Sequence, residues 1–191
     1  MTLVRGSALL AAILFAVVRQ PSNPADLVIT HVTVIDATGS PPAVHSVVVR
    51  NGVIDALFAA TATAPAARTL IDGTGKFLIP GLWDMHAHLA VRPDPALAEQ
   101  VMLPLFLANG IVGVRDMGGP LERVLTIRDG IRSGRLTGPR VLTPGPFIDG
   151  PGDAEPIFRR VQTAAEARTA VSDLATAGVD FVKVQANLSP S

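Results

Sequence analysis

The stretch Phe77-Leu78-Ile79-Pro80-Gly81-Leu82-Trp83-Asp84-Met85-His86-Ala87-His88-Leu89 decides how the rest of the chain is read. Its apolar run from Leu82 to Leu89 predicts a strand, and Pro80-Gly81 marks the turn that delivers it. Side chains alternate across a strand, so Asp84, His86 and His88 fall on one face while the small Ala87 turns the other way into packing. Two imidazoles that converge can ligate a divalent cation. Two polar residues at a strand end can equally be hydrogen-bonded to their neighbours, and a bare H-x-H leaves both readings open.

Downstream of this stretch the chain alternates. Asp94 as N-cap and Pro95 in the first turn predict a helix that Gly110 ends, and Pro104 inside it should kink or split it. A strand follows at Ile111 to Val114, then a helical stretch from Leu121 to about Ser133 and a strand at Arg140 to Thr143. Thr163 and Glu166 form a capping box, S/T-x-x-E, opening a helix that runs through Val171 and Leu174 and closes at Gly178. A fourth strand is expected at Val179 to Val184. Regular strand and helix alternation implies a parallel sheet with helices outside it, either open or closed into a barrel. No G-x-G-x-x-G follows a strand, which removes the main support for a dinucleotide-binding open sheet. The expected fold class is α/β: a partial (β/α)8 TIM-type barrel of about four βα units, where a complete barrel has eight in about 250 residues.

Upstream, Leu27 to Ile35, Val47 to Arg50 and Val53 to Phe58 are dense in β-branched residues and read as strands. Asn51-Gly52 between two of them is a type I′ hairpin signal, because both residues tolerate positive φ. A short strand at Thr69 to Ile71 is turned by Asp72-Gly73 and Gly75 into Phe77 to Ile79. These first eighty residues are expected to hold a small antiparallel β unit. Before it, one positive charge within Met1 to Arg5 and the apolar run Ser7 to Val18 have the shape of a signal peptide, and the run is shorter than the roughly 20 residues of a spanning helix. Val17, Val18, Arg19 and Gln20 interrupt any small-x-small cleavage pattern, so an uncleaved anchor or a buried helix is the alternative. The expected organisation is 1–20 signal peptide or anchor, 25–79 β unit and 80–191 barrel portion. The protein is expected to be exported, to the periplasm or beyond, with membrane contact only through residues 1–20.

Composition narrows the partners. The 191 residues are 48% hydrophobic and 17% charged with a formal net charge of zero, so nothing suggests a basic surface built for nucleic acid, and none is expected as a partner. With no cysteine, any metal must be held by imidazole, carboxylate or something less usual. Lys183 shares a face with Phe181 and Gln185 in an apolar strand, where an unpaired ammonium is costly. Desolvation would lower its pKa and free the neutral amine that reacts with carbon dioxide, while a lysine tip snorkelling to solvent is the plainer alternative. Asp84 could orient a ligand histidine or simply end a strand. Arg115 and Asp116 lie at the end of the second strand, where substrate contacts are common, and read more plainly as a structural ion pair; His31 and His45, in the β-rich lead, read as structural or exposed.

The thirteen residues from Phe77 to Leu89 resemble the signature of the metal-dependent amidohydrolase superfamily, in which a Pro-Gly turn delivers the first barrel strand with its H-x-H pair. Gly113 to Gly119, Gly138 to Leu142 and Val179 to Val184 resemble successive blocks of the branch that includes imidazolonepropionase-like proteins and prolyl dipeptidases. The resemblance runs from about Leu27 to the end. It implies that the β-rich lead is the N-terminal part of a small β-sandwich, and that His86 and His88 ligate metal. It also implies that Lys183 is a carboxylated, metal-bridging lysine, with one or two divalent ions, most often zinc. The implied reaction is hydrolysis of a C–N bond in an amide, a cyclic amide or a dipeptide. The family also draws histidines from its fifth and sixth strands and an aspartate from its eighth. No histidine follows His88 here, so the isolated chain is expected to be incomplete and inactive. The alternative from a different class is a non-catalytic, exported, β-rich binding or interaction module with an incidental H-x-H.

Overall fold

The computed structural model describes residues 24–92, 94 and 96–188. The expected signal peptide or anchor at 1–20, and Pro95 of the expected helix start, lie outside the described residues. The chain is a mixed α/β structure with several sheets and divides into two compact units, with the break between Ile79 and Pro80.

The first unit is a five-stranded sheet built from β1 (Ala25–Val34), β2 (Ala43–Arg50), β3 (Val53–Ala59), β4 (Ala67–Asp72) and β5 (Phe77–Leu78). The hairpin at Asn51-Gly52 forms as its chemistry demands, with φ of 52° and 74° joining antiparallel β2 and β3. The expectation of a wholly antiparallel unit is corrected: β4 and β5 both pair parallel to β1. The cause is local. Asp72 Oδ1 accepts hydrogen bonds from the Thr74 amide (3.0 Å) and hydroxyl (2.7 Å), closing a loop that returns the chain in its original direction rather than reversing it. β4 and β5 are thus one interrupted strand alongside β1, which is itself bulged where His31 takes a positive φ of 53°. Ala25, Val28 and Val48 form the buried centre, with Ala56, Ala64 and Ala67 packed around them.

In the second unit β6 (Leu82–Ala87), β7 (Ile111–Asp116) and β8 (Arg140–Leu142) form a parallel sheet in that order. A π-helical segment, Leu97–Met102, runs directly into α1 (Leu103–Ala108). The expected split at Pro104 is what this change of winding records, since proline has no N–H to continue the ladder and its ring crowds the preceding turn. Together with α2 (Leu121–Arg132), these helices bury Ala98, Leu103, Val124 and Ile127 against Val114 and Val141 of the sheet. Burying a leucine such as the fully enclosed Leu103 stabilises by about 2 to 3 kcal/mol. Two short parallel strands, β9 (Phe147–Asp149) and β10 (Phe158–Arg160), were not legible beforehand. α3 (Ala164–Thr176) opens on the capping box: Thr163 accepts from the Glu166 amide at 3.2 Å, while the Glu166 carboxylate reaches back to the amide of Gln162 at 2.6 Å.

The expected strand from Val179 to Val184 does not form as a ladder. It makes one parallel bridge, Val184 to Ile148, and the Lys183 carbonyl and Gln185 amide bond to Ile148 at 2.9 and 3.0 Å. Pro144 and Pro146 lie in the neighbouring segment and offer no N–H there, so pairing skips from Asp180, whose amide bonds Thr143 O at 2.9 Å, to Lys183. No helix among the described residues is long and apolar enough to cross a membrane.

Candidate metal site

The carboxyl ends of β6, β7 and β8 meet around residues the sequence singled out. Ladder pairing along β6 is irregular between Asp84 and Ala87. The irregularity has two anchors: Asp84 Oδ1 accepts from the His86 amide at 2.9 Å, and Arg115 Nε donates to Met85 O at 2.9 Å. Asp84 therefore holds main chain and touches neither imidazole. Arg115 is also placed differently from the expected Arg115–Asp116 ion pair, because its guanidinium bonds a carbonyl of β6 while Asp116 faces inward. His31 is exposed in the first unit, and His45 Nδ1 lies 3.3 Å from Phe58 O; neither belongs to this site.

His86 and His88 stay on a common side, their ring centres 5.4 Å apart and inclined at 61°. A zinc–nitrogen bond of about 2 Å sets each ring centre roughly 3 Å from the ion, and a tetrahedral angle then separates two centres by roughly 5 Å. The observed spacing fits joint ligation. His88 Nδ1 is 2.8 Å from Gly118 O. A carbonyl oxygen only accepts, so in the neutral ring Nδ1 carries the hydrogen and Nε2 keeps the free lone pair. Phe147 packs edge-on against His88 at 5.9 Å, and its ring occupies the space that a Cβ on Gly118 would need.

Lys183 reaches the same place from the far end of the unit. Its ammonium donates to Met117 O at 2.9 Å and stands 4.1 Å from the centre of the Phe147 ring. Burial lowers its pKa below the ordinary lysine value, a shift that the Asp116 carboxylate opposes and the Arg115 cation assists. His86, His88 and Lys183 all line one open cavity of about 670 Å³, whose walls include Leu97, Met102, Phe147 and Ile157 with Arg92 and Asp94. Among the described residues no three histidine, cysteine, aspartate or glutamate side chains converge on a metal position. The candidate donors are therefore two imidazoles, His86 and His88, and the Lys183 amine.

Sequence reasoning placed Asp116 at the end of the second strand but missed what its carboxylate holds. It is fully buried and its carboxylate takes three hydrogen bonds, from the Leu89 amide (2.8 Å), the Gly118 amide (3.3 Å) and the Thr143 hydroxyl (2.7 Å). Its position, last in β7, was a usable signal: an acidic residue closing an apolar strand of a parallel sheet needs buried partners.

Comparison with known proteins finds similarity over part of their length. No family model matches the chain. In structure it is similar to a Bifidobacterium longum protein assigned as a prolidase, at 30% identity and a TM-score of 0.73, with 85% of this chain and 41% of that one covered. It is similar also to a Xaa-Pro dipeptidase with methionine bound in its active site, at 22% identity and a TM-score of 0.72, covering 83% and 46%. In sequence it matches the imidazolonepropionase of Mycolicibacterium smegmatis, 49% identical over 49 residues, which is 26% of this chain and 12% of that protein. The chain thus spans less than half the length of these solved structures and a small fraction of the curated relative. The resemblance to the amidohydrolase superfamily is borne out: the structural neighbours are prolidase and amidohydrolase members, and the sequence relatives include imidazolonepropionase and dihydroorotase.

Proposed function

We propose that this chain supplies part of the active site of a metal-dependent hydrolase acting on C–N bonds in small amides, cyclic amides or dipeptides. The carrying observation is the convergence of His86, His88 and Lys183, from segments about a hundred residues apart, on one cavity. His86 and His88 would hold a divalent cation, zinc being the best match to two imidazoles at this spacing. Lys183 in its neutral form would add to carbon dioxide, forming an N–C bond and releasing one proton, and the resulting carbamate would join the imidazoles as an anionic oxygen donor. Such a cation, when bound, lowers the pKa of water and polarises a carbonyl.

In this reading the parallel sheet β6-β7-β8 with its outer helices is a portion of a (β/α)8 barrel, whose chemistry gathers at the carboxyl ends of its strands. The first unit is part of a flanking β-sandwich. The apolar wall of Leu97, Met102 and Ile157 suits the body of an uncharged or hydrophobic acyl group. The leader-like run at Ser7 to Val18 supports export.

Elemental analysis of the purified chain after equilibration with zinc tests the reading. Bound zinc that falls by at least tenfold in affinity in His86→Ala and in His88→Ala, and that rises with added bicarbonate only while Lys183 is present, is the expected result. Zinc uptake indifferent to both histidines would refute it and leave a non-catalytic module. That second reading has one observation in its favour: as it stands, the Lys183 ammonium is already engaged by Met117 O and the Phe147 ring.

A further inference from the structure

The proposed ligands are held by main-chain carbonyls, and one side chain hooks the peptide that joins the two residues supplying them. Lys183 Nζ bonds Met117 O and His88 Nδ1 bonds Gly118 O. Met117 and Gly118 form the loop leaving β7, where Gly118 adopts φ of 130°, a conformation that needs an external anchor because no ladder continues there. Asp116 anchors it at the Gly118 amide, and the Gly119 amide, donating to Gly145 O at 3.2 Å, anchors it on the other side. One oxygen, Oδ2, takes the Gly118 amide and the Thr143 hydroxyl; the other, Oδ1, takes the Leu89 amide directly after His88. The Met117 amide in turn bonds Ala87 O at 2.7 Å. A single buried carboxylate thus ties together the ends of β6, β7 and β8 and brackets His88 from both sides.

We propose that Asp116 is a positioning residue for this site: by hooking the Leu89 and Gly118 amides it aims Gly118 O at His88 Nδ1, fixing the ring as the Nδ1–H tautomer with Nε2 turned to the cavity. The consequence for ligation rests on the metal-site reading above, whereas the tautomer itself is a property of the metal-free protein. A free histidine ring favours the Nε2–H form in water, so retention of Nδ1–H requires a correctly placed acceptor. Asparagine is the informative replacement. Its Oδ1 still accepts from Leu89 and its amide can donate to Thr143, whose hydroxyl reverses, but an N–H then faces the Gly118 N–H and that hook is lost. Thr143→Val removes a hydrogen bond from the same carboxylate and the acceptor of the Gly145 amide (3.2 Å), and leaves the Leu89 and Gly118 hooks on Asp116 intact.

Long-range proton–nitrogen correlation spectra of the metal-free chain, held above the histidine pKa, read the tautomer directly. The expected result is Nδ1–H at His88 in wild type and in Thr143→Val, and a shift to mainly Nε2–H in Asp116→Asn. Cobalt titration then reads the consequence: affinity about 10- to 100-fold weaker in Asp116→Asn and within about threefold of wild type in Thr143→Val. An unchanged His88 tautomer in folded Asp116→Asn overturns the proposal. So does Nε2–H at His88 in the wild-type chain, a result that needs no variant to fold. If wild type binds no cobalt yet shows the tautomer switch, the metal-site reading fails while the positioning role of Asp116 stands.

Discussion

Replacing Asp180 with alanine should loosen the segment that carries Lys183 by a calculable amount. The Asp180 side chain is 17% exposed and bonds three groups: the Thr143 amide at 2.9 Å, Arg128 at 3.2 Å and Arg132 at 2.8 Å. Thr143 is fully buried, so its amide would lose its acceptor without water to replace it, at about 1.5 kcal/mol. Arg128 is 5% exposed but keeps Asp129 and the Gly178 carbonyl, so its share is about 1 kcal/mol. Arg132 is half exposed and contributes about 0.5 kcal/mol. The expected destabilisation is about 3 kcal/mol. Urea unfolding followed by fluorescence isolates the relevant unit, because the only tryptophan, Trp83, lies in β6. Arg132→Ala serves as the control and should cost about 0.5 kcal/mol. If Asp180→Ala costs no more than Arg132→Ala, the network does not hold this segment and the reasoning is refuted.

The same carboxylate sets an acid limit. Burial opposes ionisation of Asp180, but the Thr143 amide and the Arg128 and Arg132 guanidinia outweigh it and hold its pKa below the ordinary 3.8. A group depressed on folding contributes stability that is complete above its unfolded pKa and lost as pH falls through the folded one; the gap in urea midpoint between wild type and Asp180→Asn should therefore be constant above about pH 5 and close at lower pH. Lys183, with its pKa lowered by burial, should be acylated by an amine-selective reagent with a half-maximal pH below that of a free lysine side chain. Peptide mass spectrometry distinguishes it from the chain's other lysine, Lys76, and a half-maximal pH at or above the free value would contradict the desolvated setting. Gly118→Ala would place a Cβ 1.7 Å from Phe147 Cε1 at φ of 130°, displacing that ring from His88 and Lys183. A loss of about 3 kcal/mol or more is expected from overpacking and strain combined, and a near-neutral melting shift would show that Phe147 is not wedged there.

Local chemistry decided what the sequence could reveal. Asn51-Gly52, the Pro104 break, the Thr163 cap, and the strands around Leu82 and Ile111 depend on φ preferences, missing N–H groups and short-range alternation, all of which act within a few residues. The side-by-side placement of His86 and His88 follows from the same period of two. The partners that lie far along the chain were decided by tertiary structure. Nothing local says that β4 joins β1 in parallel, since strand direction depends on which edge is free when the chain returns; only the continuation into β5 has a local cause, the Asp72–Thr74 turn. The Val179 to Val184 segment has strand composition, yet its ladder fails because Pro144 and Pro146 deny it donors from 35 or so residues upstream. Arg115 and Asp116 are neighbours in sequence but point to opposite faces of β7, so adjacency predicted an ion pair that alternation forbids. Asp116 instead acquires its three donors from the residues just past β6, β7 and β8, and a side chain defined by three separate strand ends has no signature in any one of them.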